Sequence, residues 1–210
     1  MAYNKSMSKE IRKSFKFRLE PTEDQLSKMF LFANHNRGLW NILVRYGKDL
    51  LEADADLPSF IDLTKKVSEA KYVEEYSWLQ QAPAGTLLST CKAYNNALWD
   101  GMKKIRKMPH FHKQRVKDSF TYHDGGPITL NYGDKTVKLP KLGAVKIRYS
   151  RKVKGQIKTA TVTRKNKHWY VSFSCVVKVA NKPHKATTKL GIDRGVVHLA
   201  VDSNGKAYDL

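Results

Sequence analysis

Between Ser119 and Val179 the sequence breaks into six short stretches of strand character, and this run restricts the chain to a small set of folds. Phe120–Tyr122, Ile128–Leu130, Thr136–Leu139, Val145–Tyr149, Ile157–Arg164 and Trp169–Val179 are rich in β-branched and aromatic residues. Turn residues separate them: Asp124-Gly125-Gly126-Pro127, Gly133-Asp134, Gly143, Lys154-Gly155 and Lys165-Asn166-Lys167. Short strands punctuated this regularly predict a small barrel or sandwich.

One further strand stands far upstream. Ile11, Phe15, Phe17 and Leu19 alternate with Arg12, Ser14, Lys16 and Arg18, the pattern of a half-buried strand with a basic outer face. Pro21 ends it. Thr22 is placed to cap a helix whose first residues, Glu23 and Asp24, suit its positive end. Leu26, Met29, Phe30, Ala33, Arg37, Trp40, Leu43 and Val44 recur at helical spacing to about Lys48. One amphipathic helix accounts for them better than a helix-turn-helix broken near Asn34–Gly38, because a single glycine does not force a turn. Leu51–Leu57 reads as an acidic loop, Pro58-Ser59 as the start of a second helix to about Glu75, and Trp78-Leu79 as part of a connector ending at Pro83. A third helix is expected over Ala84–Lys107, with Leu87, Leu88, Cys91, Tyr94, Leu98, Met102 and Ile105 inward. The fold class is α+β.

Charge is the strongest statement about partners. The net charge is +20, and residues 101–190 hold 23 Lys and Arg against three acids, which accounts for the whole excess. Such a field attracts polyanions, and nucleic acid is the natural one. An anionic membrane fits less well, because the cations fall largely on strands and loops and not on an amphipathic helix. Lys103, Lys104, Arg106 and Lys107 close the third helix and run into His112, Lys113, Arg115 and Lys117. Cations suit a helix C-terminus, but this run exceeds what capping requires. Lys141, Lys146, Arg148, Arg151, Lys152 and Lys154 follow in the strand region, where basic and apolar residues alternate so that one sheet face meets phosphates while the other packs. Tyr122, Tyr149 and Trp169 are candidates for stacking on bases, although aromatics on strands more often serve a core.

The hydrophobic fraction of 41% supports a real core, and no stretch has the length of a membrane span or the shape of a signal peptide. Cys91 and Cys175 lie far apart and form no CxxC pair, so neither a zinc site nor a disulfide framework is expected. His110 and His112 read as phosphate contacts or surface residues, not metal ligands. Near the C-terminal end, Leu190 and Ile192, then Val197, Leu199 and Val201, alternate as a hairpin, and Asn204-Gly205 signals a type I′ turn. Asp193 ends the first of these strands between Gly191 and Gly195. A carboxylate there either caps a turn amide or meets a cation, with a divalent metal the natural partner.

Gly191-Ile192-Asp193-x-Gly195, an apolar strand, and then Asp202-x-x-Gly205 resemble the first motif of a RuvC-type, RNase H-like nuclease domain. In particular they resemble the TnpB family of transposon-encoded RNA-guided nucleases, relatives of the type V CRISPR effectors. Arg18-Leu19-Glu20-Pro21-Thr22 with Gln25, Met108-Pro109-His110-Phe111-His112-Lys113, and Val137–Gly143 match in order and spacing over essentially the whole chain. The resemblance implies a basic, oligonucleotide-binding-like (wedge-type) barrel from residues 1–20 and 117–180. A three-helix recognition lobe, residues 21–116, is inserted in it. A linker at 181–187 then leads to the start of a RuvC-like domain at 188–210.

It also implies the partners: a structured guide-type RNA, and through it target DNA bearing a short flanking motif, with base pairing supplying sequence. The family usually has a Gln at about the position of Leu88, which cannot make the same polar contact. Asp193 corresponds to the first of three acids that hold the catalytic metals, Mg2+ being expected only where that site is completed. The other two acids and the family's four-cysteine zinc element have no match before Leu210, and Asp202 and Asp209 read as turn and strand-edge residues. The chain is therefore expected to bind and not to cut alone. It would act as the N-terminal part of a nuclease, completed by a second chain or further residues. The other readings are a cleavage-inactive repressor or RNA-binding accessory, and a structural RNA-binding protein without guided function. The implied location is the cytoplasm of a prokaryote or a virus-infected cell, with the nucleoid when DNA is bound.

Overall fold

The computed structural model describes residues 8–113, 118–123, 127–180 and 188–209. They fall into two compact units, Glu10–Lys178 and a smaller one whose described residues are 8–9, 179–180 and 188–209. The larger holds strands β1 (Ser8–Glu20), β2 (Ser119–Tyr122), β3 (Thr129–Asn131), β4 (Thr136–Leu139), β5 (Gly143–Arg148), β6 (Gln156–Lys165) and β7 (His168–Ala180). They form one curled antiparallel sheet in the order β2-β6-β7-β1-β5-β4-β3. The isolated upstream strand thus becomes the central one. Of the two architectures open to the strand pattern, the half-barrel is the one adopted, consistent with an oligonucleotide-binding-like fold.

The alternation in β1 does what its pattern predicts. Phe15, Phe17 and Leu19 are buried, while Arg12 and Lys16 are exposed and Arg18 half-buried. Val162, Val171, Phe173, Val145 and Ile147 face them inside the curl.

Helix α1 (Glu23–Glu52) starts where Thr22 was expected to cap it. The Thr22 hydroxyl accepts from the Gln25 amide at 3.3 Å, and the Gln25 side chain accepts from the Thr22 amide at 3.1 Å, a complete capping box. The same Gln25 donates to the Leu142 and Ala144 carbonyls, at 3.3 and 2.9 Å, and so ties the helix start to the β4–β5 turn. α1 then runs unbroken past Gly38. A Cβ there would lie 2.9 Å from the Trp78 ring, so the glycine admits a packed indole and does not mark a turn. The helix serves two cores. Met29, Phe32 and Ala33 cover the sheet, and Leu39, Leu43 and Val44 pack with α2 (Phe60–Ala70), a 3-10 helix (Glu74–Gln81) and α3 (Ala84–Met102).

Three expectations about the helices need correction. The second helix stops at Ala70, and the connector holding Trp78 and Leu79 is itself the 3-10 helix. The third stops at Met102, because Lys104 turns left-handed (φ +57°) and the Ile105 amide donates back to the Asp100 carbonyl. Leu88, Met102 and Ile105 are exposed and not inward, whereas Leu87, Cys91, Tyr94 and Leu98 are buried.

Gly155, just before β6, has φ +86°, and a Cβ on it would sit 2.2 Å from the Val176 carbonyl oxygen. Gly143 has φ +74° with nothing within 4 Å. Both positions are strained for other residues, but only the first adds a backbone clash. Gly155→Ala is expected to lower stability by about 2–4 kcal/mol, and Gly143→Ala by roughly half as much or less. Urea denaturation of the two variants side by side checks the difference.

In the smaller unit β8 (Ile192–Asp193), β9 (Ala200–Asp202) and β10 (Ala207–Tyr208) form an antiparallel sheet in the order β10-β9-β8. Val197 and Leu199 lie outside the strands and are exposed. The turn after β9 is not type I′. Gly205 alone of the pair is left-handed (φ +82°), and Asp202 organises the turn, its carboxylate accepting from the Asn204 and Lys206 amides at 2.9 and 3.0 Å.

Candidate nucleic-acid interface

The segment Met108–Lys113 crosses α1 as a strap without regular secondary structure. Two side chains of α1 hold its backbone. The Trp40 indole donates to the His110 carbonyl at 2.9 Å. The Asn41 amide donates to the His112 carbonyl at 3.1 Å and accepts from the His112 amide at 2.8 Å. The His112 ring stacks on Trp40 with centroids 4.5 Å apart and planes 5° from parallel. Gly101 permits the crossing, since a Cβ there would lie 3.1 Å from the Met108 Cα.

Beneath the strap is a cleft of about 570 Å³, lined by α1, α3, the strap and β2. Its floor is polar. Buried Asn36 donates to the Phe32 carbonyl (2.7 Å) and the Thr86 hydroxyl (3.1 Å), and accepts from the Thr90 hydroxyl at 2.7 Å. Arg37 and Lys113 bring positive charge to the lining. Asn36 and Asn41 were not singled out from the sequence, and Trp40 was read only as part of the apolar stripe of the helix. A polar residue on the apolar stripe of α1, as Asn36 is, was the available signal.

The expected phosphate-binding cations fall in different settings. Lys103, Lys104 and Lys107 are exposed beyond α3, and Arg106 pairs with Asp100 at 3.4 Å. Arg115 and Lys117 lie outside the described residues. Lys141 is a tether within the fold: its ammonium donates to the Gln80 and Ala82 carbonyls at 2.6 and 3.1 Å. Lys146 and Arg148 share the outward face of β5 as the alternation predicted, with Arg148 paired to Glu20. The strand ends at Arg148, so Arg151, Lys152 and Lys154 lie in the irregular segment before β6, the first over the Phe15 ring at 5.5 Å.

The three aromatic candidates belong to the core. Trp169 is buried, and so is Tyr122, whose hydroxyl donates to the Pro140 carbonyl at 3.0 Å. Tyr149 donates to the Thr136 carbonyl at 2.9 Å, and burial pushes its phenol up to about 12. Phe111, on the strap, is 43% exposed, with the Lys48 ammonium over its ring at 4.9 Å.

Two curated proteins match the amino-acid sequence of the chain over nearly its whole length. A protein of Escherichia coli (strain K12) named "Putative RNA-guided DNA endonuclease InsQ" is 29% identical over 196 residues, covering 93% of this chain and 48% of its own length. A Streptomyces pristinaespiralis protein named "Putative RNA-guided DNA endonuclease" is 21% identical over 203 residues, covering 95% of this chain and 50% of its own. The chain is similar to proteins of the TnpB family. It spans about half the length of the curated relatives it matches, aligning with their N-terminal part. No protein-family model matches it.

A metal is the cofactor expected of a TnpB endonuclease, and the carboxylates of the smaller unit decide whether one fits here. Asp193 is exposed on β8, opposite Val201. Asp202 is occupied by its own turn: the Lys206 and Asn204 amides and the Tyr208 hydroxyl hold its carboxyl below the usual range. Asp209 pairs with His198 at 3.0 Å. Among the described residues no three His, Cys, Asp or Glu side chains gather as a metal group, so the residues present do not make a complete metal cage. Both cysteines are buried and free, and no described helix is long and apolar enough to cross a membrane.

Proposed function

We propose that this chain binds a structured, guide-type RNA and through it target DNA, as the N-terminal part of an RNA-guided DNA endonuclease. The observation that carries the reading is the alignment of 93% of the chain with a relative named for that activity. The concentration of the whole net charge in residues 101–190 supports it, since cations on phosphates supply most of the affinity in such complexes. In this reading the sheet is the wedge barrel, the helices are the recognition lobe, and residues 188–209 open a RuvC-like fold. Asp193 is the first acid of its divalent-metal site. One carboxylate does not hold two metals, so the activity proposed here is binding.

Binding to RNA transcribed from the chain's own locus, against a scrambled RNA of equal length, tests the proposal across a salt series. A preference for the cognate RNA of at least tenfold that survives at high salt is expected. Equal affinities that fall together as salt rises overturn it, and leave a basic protein without a reader.

A further inference from the structure

The outward face of β2, β6 and β7 is made of hydroxyl groups. Ladder pairing places Ser119, Thr163 and Tyr170 in one row across the three strands and Thr121, Thr161 and Ser172 in the next. All six are half-buried. The opposite face of the same strands carries Phe120, Val162, Val171 and Phe173, all buried in the core. Threonine is common on strands for its shape, and a solvated sheet face ordinarily mixes it with both signs of charge. Here no carboxylate interrupts the rows. The charge beside them is positive: Lys16 of β1 lies over the Tyr170 ring at 4.7 Å, and Arg18 follows on the same strand. At the other side, Ser119 and Thr121 border the cleft under the strap.

We infer that this face binds an A-form RNA duplex and recognises its ribose 2′-hydroxyls. Such a duplex presents a wide, shallow minor groove edged by 2′-hydroxyls and flanked by phosphates. A protein hydroxyl is both donor and acceptor, as a 2′-hydroxyl is, so the two pair in either sense. Thr121 and Thr161 already do this with each other, their oxygens 3.0 Å apart, and each keeps further hydrogen-bonding capacity. The flanking Lys16 and Arg18 meet the phosphates. DNA offers the same phosphates and no 2′-hydroxyl, so this surface discriminates between the two polymers, which charge alone does not. The inference rests on the RNA-binding reading above and adds where the ribose is recognised.

The test measures binding of the whole chain to three duplexes of one sequence: RNA, DNA, and 2′-O-methyl RNA, which keeps the A-form and loses the hydroxyl donor. RNA is expected to bind about tenfold or more tighter than the other two. In Thr161→Val/Ser172→Ala the three affinities should converge on the DNA value with an unchanged salt slope. The 2′-O-methyl comparison needs no variant and so is independent of any folding defect in it. Equal binding of RNA and 2′-O-methyl RNA overturns the inference in favour of recognition by shape, and a variant that folds and keeps the RNA preference overturns the assignment to this face. Binding of none of the duplexes removes the RNA-binding reading itself.

Discussion

Phe173→Ala is expected to lower the unfolding free energy by about 3–5 kcal/mol. Phe173 has no exposed surface, sits on β7 next to the central β1, and has its ring centroid 6.2 Å from that of Phe17. Its cross-strand partner on β6 is Ala160, so the ring fills space that a small neighbour leaves. Truncation removes the transfer free energy of the ring and leaves a cavity that a sheet hydrogen-bonded on both sides cannot close. Domains of this size are stable by only about 5–15 kcal/mol, so the loss is a large fraction of the total. Urea denaturation should show a lower midpoint with an unchanged slope. Phe111→Ala, on the exposed strap, should move the midpoint by less than about 1 kcal/mol equivalent. A comparable loss at both sites would mean that the curled sheet is not the principal core.

Lys103→Ala/Lys104→Ala/Lys107→Ala is expected to weaken RNA binding about a hundredfold at 0.1 M salt and to reduce the salt slope by about 2–3, at close to one released counterion per phosphate contact. These three ammonium groups are exposed, and no carboxylate pairs with them among the described residues. Arg106 and Lys141 make the useful contrast. Arg106 is half-committed to Asp100, and Lys141 is spent on the Gln80 and Ala82 carbonyls. Lys141→Ala should therefore lower the thermal midpoint and leave the salt slope nearly untouched. Salt titrations of the two variants separate a phosphate contact from a structural cation. An unchanged slope in the triple variant would place the RNA elsewhere.

How much could be read in advance depended on the range of the interaction. The Thr22–Gln25 capping box is local, and its residues announce it. The strand Thr136–Leu139 has the bounds that its alternation suggested. The end of α3 was misread because apolar spacing persists through Ile105, whereas the reversal is made by the backbone of Lys104, which spacing does not report. Asn204-Gly205 looked like a two-residue turn because the hydrogen bonds of Asp202 that reshape it come from its own side chain. The role of Lys141 was invisible for a different reason. It depends on carbonyls at Gln80 and Ala82, about 60 positions away, that only the folded chain brings near. The clamp of Asn41 on the strap is hidden in the same way, 71 positions from its partner. For the functional residues, charge segregation was legible and its sorting was not, because whether a cation faces solvent, a carboxylate or a carbonyl is settled by packing.

The position of β1 matters before the protein is ever complete. It is translated before the other six strands of its sheet, and both of its neighbours, β5 and β7, follow more than a hundred residues later. At about 5–20 residues per second, Phe15, Phe17 and Leu19 wait on the order of ten seconds for partners. The helices have a core of their own and can assemble meanwhile, leaving β1 as an unpaired amphipathic ribbon on the nascent chain. Lys16 and Arg18 line its other face and act as gatekeepers against pairing with a neighbouring chain on the same message. Codon choice and chaperone access between these strands thus bear on the yield of folded protein, independently of its final stability.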